Sequence, residues 1–135
     1  MSSSFLTPLI IEYLDGKTYR LCQGFCYQTC IGELGQIKVP EGFKTDFASV
    51  PRGLWNIFPP TGEYGKAAVI HDFLYRCTNV DRKICDQVLL EGMEVLGVGW
   101  LSRKLVYRAV RLFGSVARKQ LECKDLANNS GSVLK

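Results

Sequence analysis

The pattern of apolar and polar positions changes its period once along this chain, near residue 65. Before that point it suits strands. "FLTPLIIEYL" (5–14) runs into Asp15–Gly16, a hairpin-type turn. "KTYRLCQGFCYQTC" (17–30) is rich in aromatic and β-preferring residues, with an even spacing of Leu21 and Phe25 or of Cys22, Cys26 and Cys30. "IGELGQIKVP" (31–40) adds a turn and a short strand ending at Pro40. The pattern predicts a small antiparallel sheet of three or four strands. Residues 40–65 form a long Pro- and Gly-rich connection whose Phe43, Phe47, Trp55, Ile57 and Phe58 need burial. It reads as an ordered loop, and such loops often carry function.

From residue 66 the spacing is helical. "KAAVIHDFLYRC" places Ala67, Ile70, His71, Leu74 and Cys77 or Thr78 on one face. "TNVD" (78–81) has capping-box form, which predicts a second helix from about 79 to Leu96, stopped by Gly97. Ile84, Val88, Leu89 and Leu96 would face inward. A third helix over 100–119 would bury Leu101, Leu105, Leu112 and Val116, with Trp100 in the core. Its other face would show Lys104, Arg108, Arg111 and Arg118 to solvent. The expected fold is α+β: a small N-terminal antiparallel sheet, a structured aromatic loop and three α-helices. Residues 1–122 would form one domain, and the polar stretch 123–135 a flexible tail.

Composition narrows the class. At 135 residues, 47% apolar and 22% charged, the chain can bury one hydrophobic core. A net charge of +4, without aromatic residues interleaved among the cations, gives no strong nucleic-acid signal. "FLTPLII" (5–11) is too short to span a bilayer and lacks the flanks of a signal peptide, so the expectation is a soluble protein made in the cytoplasm. The six cysteines fit no zinc spacing; without a signal peptide they read as reduced, mostly buried thiols.

"AAVIHDFLY" (67–75) holds the only histidine, next to an aspartate in an otherwise apolar run. Burying such a pair costs free energy unless it finds partners. In an antiparallel helix hairpin turning near 78–79, His71 and Asp86 lie at the same height. Asp86 sits in a second apolar run, "ICDQVLL", with no other use for a carboxylate. A carboxylate on one ring nitrogen would fix the tautomer and leave the other as a general base. The same pair could instead hold two helices in register. Asp72 points about a hundred degrees round the helix, toward the 40–65 loop. In "TDFASVPR", Thr45, Asp46 and Ser49 are turn and cap formers and Pro51 keeps Val50 out of helical geometry. Either Asp46 caps a short turn carrying Trp55, or Thr45, Asp46, Ser49 and Arg52 line a pocket opposite His71.

"VPEGFKTDFASVPR", "AAVIHDFLY", "CDQVLLEGM" and "VYRAVRLFG" together resemble a small bacteriophage and prophage family of unknown function, over roughly residues 5–115. The resemblance implies a phage protein, located in the host bacterial cytoplasm or incorporated in the virion, and transfers no activity. The "HD-x-x-Y … D" part is also similar to the core of phospholipases that cleave the sn-2 ester. That likeness implies His71 as base, Asp86 as its orienting group, Asp72 as a calcium ligand and Tyr75 as a support for the pair. Tyr64, in "GEYG" (62–65), falls where those enzymes carry a longer glycine loop for calcium. The favoured expectation is an ester hydrolase acting during infection or lysis, with phospholipid as partner and calcium as cofactor. The alternative is a non-enzymatic virion or tail component, or a binder of a host factor, partnered by other phage virion proteins.

Overall fold

The computed structural model describes residues 3–15, 18–45 and 65–117. In chain order these form β1 (Ser4–Phe5), β2 (Ile11–Asp15), β3 (Thr18–Leu21), β4 (Phe25–Gln28), β5 (Gln36–Val39) and β6 (Lys44–Thr45). Three helices follow: α1 (Gly65–Cys77), α2 (Arg82–Val95) and α3 (Trp100–Ala117). The α+β class and the order of sheet before helices are as the sequence predicts. The strands, however, divide into two three-stranded antiparallel sheets, β1-β4-β5 and β2-β3-β6, instead of one. The hairpin turn at Asp15 pairs β2 with β3. The chain then bends at Cys22 and Gln23, so that β4 leaves this hairpin and joins β1 and β5.

The core lies between these sheets and α1. Alternation in β4 and β5 turns Phe25, Tyr27, Ile37 and Val39 inward, and Leu21 and Phe43 join them. Phe43 meets Phe73 of α1 edge to face, with ring centroids 5.6 Å apart. Helix α1 is buried from Ala67 to Tyr75, on all of its faces and not only on the expected one, because Ala68, Val69 and Phe73 make it apolar nearly all round. It approaches α2 closely at Gly92, where an added Cβ would lie 2.9 Å from the Cβ of Ala67.

Helix α2 begins at Arg82, not near 79. The Thr78 hydroxyl donates back to the Leu74 carbonyl at 2.6 Å and so closes α1. Asp81 holds the N-cap position of α2 without a side-chain capping bond. The stop at Gly97 is as expected: its φ of 83° suits glycine, and Val98 N–H donates to the Met93 carbonyl at 3.0 Å.

Helix α3 is rotated from the expected setting. Val106, Ala109 and Val110 are buried, whereas Leu101, Leu105 and Leu112 are exposed. Trp100 is also exposed rather than in the core. Side-chain size suggested the leucine arc, but Val106 and Val110 join the core, and Arg111 reaches a buried carboxylate on α2 from the helix side that also carries Trp100 and Lys104. Val116 and Arg118 lie outside the residues whose side chains are described, as do residues 46–64 of the predicted aromatic loop and the 123–135 tail.

The cysteines also depart from expectation. Cys85 is buried, but Cys26 is only half-buried and Cys22 and Cys30 are exposed. In β4 the inward positions go to Phe25 and Tyr27, which leaves Cys26 on the other face. Cys77 is disulfide-bonded, so the compartment argument for six free thiols fails there. Alkylation of the denatured protein should therefore modify Cys22, Cys26, Cys30 and Cys85 directly, and Cys77 only after reduction; mass spectrometry of the peptides reads this.

The Gly92–Ala67 approach gives a second expected outcome. Gly92→Ala gains about 1 kcal/mol of helix propensity but overpacks the crossing by about 1–3 kcal/mol, so the net effect should be destabilising. Adding Ala67→Gly should restore stability relative to the sum of the two single changes, as a denaturant-unfolding double-mutant cycle would measure.

Candidate functional site

Three helices meet at the Asp86 carboxylate. The His71 Nε2 lies 2.7 Å from Asp86 Oδ1, across the antiparallel α1–α2 pair. The Tyr75 hydroxyl, one turn further along α1, donates to the same oxygen at 2.5 Å. Arg111 Nη1, from α3, donates to Oδ2 at 2.8 Å. His71 and Asp86 are 1% and 0% exposed, whereas the Arg111 side chain is 36% exposed. The predicted height match therefore holds, and the hydrogen bond joins the two residues that the pattern of apolar runs picked out.

Behind this group stands Arg82, on α2. Its Nε donates to the Tyr75 hydroxyl at 3.1 Å, and its Nη2 donates to the Arg111 carbonyl. The His71 and Tyr75 rings lie 4.1 Å apart between centroids. Burial opposes ionisation of Asp86, but the hydrogen bonds from His71, Tyr75 and Arg111 outweigh it and hold its carboxyl below the usual range. Burial and the adjacent carboxylate push the Tyr75 phenol well up, so it stays a neutral donor. The bond to Asp86 raises the already high pKa of Arg111. An ionised Asp86 only accepts, so the His71 Nε2 carries the proton it donates, and in the neutral ring Nδ1 is the acceptor nitrogen.

Asp72 lies on another side of α1. Its Oδ2 accepts from the Thr45 hydroxyl of β6 at 2.6 Å and from Arg76 Nη1 at 2.9 Å. The Arg76 guanidinium also reaches the Lys44 carbonyl at 3.3 Å and lies over the Phe43 ring. Asp72 thus ties α1 to the second sheet. Among the described residues, no cluster of three or more His, Cys, Asp or Glu side chains is positioned to hold a metal ion. Of the remaining predicted pocket residues, Asp46, Ser49, Arg52 and Tyr64 lie outside the described residues. Lys104 and Arg108 are exposed on α3 as expected, whereas Arg111 turns inward from the predicted basic face.

Sequence reading missed the roles of Arg111, Arg82 and Arg76. Arg76 was within reach, because it stands four residues beyond Asp72 on one helix face. Arg111 gave a weaker signal, a cation beside Val110 on a helix whose partner carries a buried carboxylate. Glu91 was also missed. It accepts from the hydroxyls of Tyr27 and Thr29, each at 2.7 Å, and from Cys30 N–H at 3.1 Å, which fastens α2 to the first sheet. Burial opposes its ionisation, and these bonds together with one from Ser3 hold its carboxyl below the usual range.

The sequence profile described as "Protein of unknown function (DUF1353)" matches residues 19–110. The chain belongs to the DUF1353 family. His71, Asp72, Tyr75 and Asp86 all fall within the matched span, and Arg111 stands one residue beyond it. Among curated proteins, the chain is similar to "Uncharacterized protein y4jT" of Sinorhizobium fredii (strain NBRC 101917 / NGR234), 35% identical over 96 residues. That match covers 64% of this chain and 28% of the relative's length. No solved structure shows a significant match. DUF1353 membership therefore supplies a family and no activity, and a chemical reading must come from the site.

The network sets an order of stabilities. Asp86→Ala leaves His71 and Tyr75 buried without their acceptor and should cost on the order of 3–5 kcal/mol. His71→Ala should cost less, because Asp86 keeps Tyr75 and Arg111. Because the folded pKa of Asp86 is depressed, its stabilisation is complete above the ordinary value of 3.8 and is lost as pH falls through the folded value. Denaturant unfolding from pH 7 to pH 2 should show this acid loss in wild type and a flatter profile in Asp86→Asn.

Proposed function

We propose that this phage-type protein is a hydrolase in which His71 is the general base and Asp86 its orienting group, with an ester as substrate. The carrying observation is the saturation of Asp86 by three donors from two helices, with His71 held through Nε2. Such a carboxylate fixes the ring and tautomer and makes Nδ1 the basic nitrogen of the neutral ring. In the proposed step Nδ1 accepts a proton from water as the oxygen bonds to the ester carbonyl carbon. Collapse of the tetrahedral intermediate breaks the bond to the leaving alkoxide, which takes the proton from Nδ1–H. Tyr75 and Arg111 keep Asp86 ionised and so act as positioning residues. Calcium at Asp72, which the phospholipase likeness implies, would share the carboxylate with the Thr45 hydroxyl and the Arg76 guanidinium, and the hydrolytic step above does not pass through it.

A second reading rests on the burial of His71 and Asp86. In it the network fastens three helices of a virion or tail component, or of a binder of a host factor, and no bond is cut. Assay of phospholipid and short-chain ester hydrolysis separates the two. Under the first reading wild type hydrolyses an ester and His71→Ala lowers kcat by at least a thousandfold, a loss in line with removing an activated base. Arg111→Lys should lower kcat less and shift the pH profile. Asp72→Asn, measured with and without calcium, tests the metal. Absence of turnover in wild type on every ester supports the second reading.

A further inference from the structure

The exposed face of α3 is apolar where a solvated face would be polar. Trp100, Leu101, Leu105 and Leu112 are 62%, 59%, 46% and 73% exposed. At 100° per residue they share an arc of about 140° with Lys104, Arg108 and Arg111, of which Arg111 is engaged by Asp86. Lys104 Nζ stands over the Trp100 ring, 5.1 Å from its centroid, so cation and indole sit at the same end of the stripe. No acidic residue occurs anywhere in the α3 sequence, WLSRKLVYRAVRLFGSVA. The opposite arc, Val106, Ala109 and Val110, is buried, so apart from Arg111 this face is not the helix's packing surface.

We propose that this face of α3 docks on the surface of an anionic phospholipid bilayer. A tryptophan and leucines with interspersed cations suit the boundary of headgroups and acyl chains, where apolar side chains enter and ammonium or guanidinium groups meet phosphates. Charge decides against the same face of a second copy, since a two-fold contact would set Lys104 and Arg108 against like charges. No helix among the described residues is long and apolar enough to span a membrane, so the contact lies in the interface plane. The proposal concerns attachment and stands whether or not an ester is cut.

Cosedimentation with vesicles tests it, using the full chain. Binding is expected to vesicles of phosphatidylglycerol and phosphatidylcholine, to fall with added salt, and to be weak on phosphatidylcholine alone. Lys104→Gln and Arg108→Gln should each weaken it about fivefold, and Leu112→Ser about tenfold. None of these changes should move the unfolding midpoint appreciably, since the side chains are exposed. The emission difference between wild type and Trp100→Phe isolates Trp100, which should shift to the blue only on vesicle addition. No binding to anionic vesicles overturns the proposal, as does equal binding by Leu112→Ser. So does concentration-dependent self-association that the leucine change abolishes. Shielding of Trp100 from acrylamide before vesicles are added would assign the face to the chain's own 118–135 segment and also overturn it. Since cosedimentation reads attachment and not turnover, its failure is distinct from failure of the hydrolase reading.

Discussion

A fully buried carboxylate at position 86 is the constraint on which the helical half of this molecule depends. Removing an ion of that kind from water costs several kcal/mol unless donors replace the lost hydration. Asp86 meets that requirement with three, and they come from two neighbouring helices. The rotation of α1 is fixed because His71 and Tyr75, four residues apart, must both face α2. The rotation of α3 is fixed because Arg111 must reach the same group. Val106 and Val110, on the other side of α3, join the core, and Leu101, Leu105 and Leu112 are left exposed.

Two other carboxylates repeat the device at the sheet contacts. Glu91 gathers hydroxyl and amide donors around β4, and Asp72 joins the Thr45 hydroxyl and Arg76. Both lie where short strands meet helices, and strands of two to five residues leave edge groups and loop ends in need of partners. Directional bonds to a charged acceptor fix the sheet–helix geometry in a way that apolar contact alone does not. At Gly92 and Ala67 the α1–α2 distance is set by size instead, with no Cβ on one side of the crossing. Register thus comes from carboxylates, and spacing from glycine.

How much of this was legible in the sequence differs by element. The β2–β3 hairpin, the three helices and the Gly97 stop were readable, because each has a local signature in turn chemistry or periodicity. The His71–Asp86 pair was readable because two polar groups stood at matched heights in apolar runs. The division into two sheets was not, since it depends on which edge β4 chooses and no local residue specifies that. Thr78 misled because a hydroxyl at a helix junction can cap the following helix or bond back to the preceding one, and the backbone geometry decides. The α3 face misled because leucine volume outweighs valine and alanine in any apolar pattern, while the core that Val106 and Val110 join is built from residues far away in the sequence.

The burial that favours a structural role for the dyad does not by itself oppose catalysis. A base is most effective when its ring cannot rotate and its carboxylate is already compensated, and both conditions require desolvated, saturated surroundings. What distinguishes the two roles is whether the acceptor nitrogen can meet a reacting water. Arg111 bears on that question physically. It is the half-exposed member of the group, and its guanidinium joins the solvent side of α3 to Asp86. A change of environment at the α3 surface therefore has a short route, through one side chain, to the carboxylate that orients His71. The charge on that route is conserved when Arg111 becomes lysine, but the planar, directed donor is not, so orientation rather than field is what such a substitution removes.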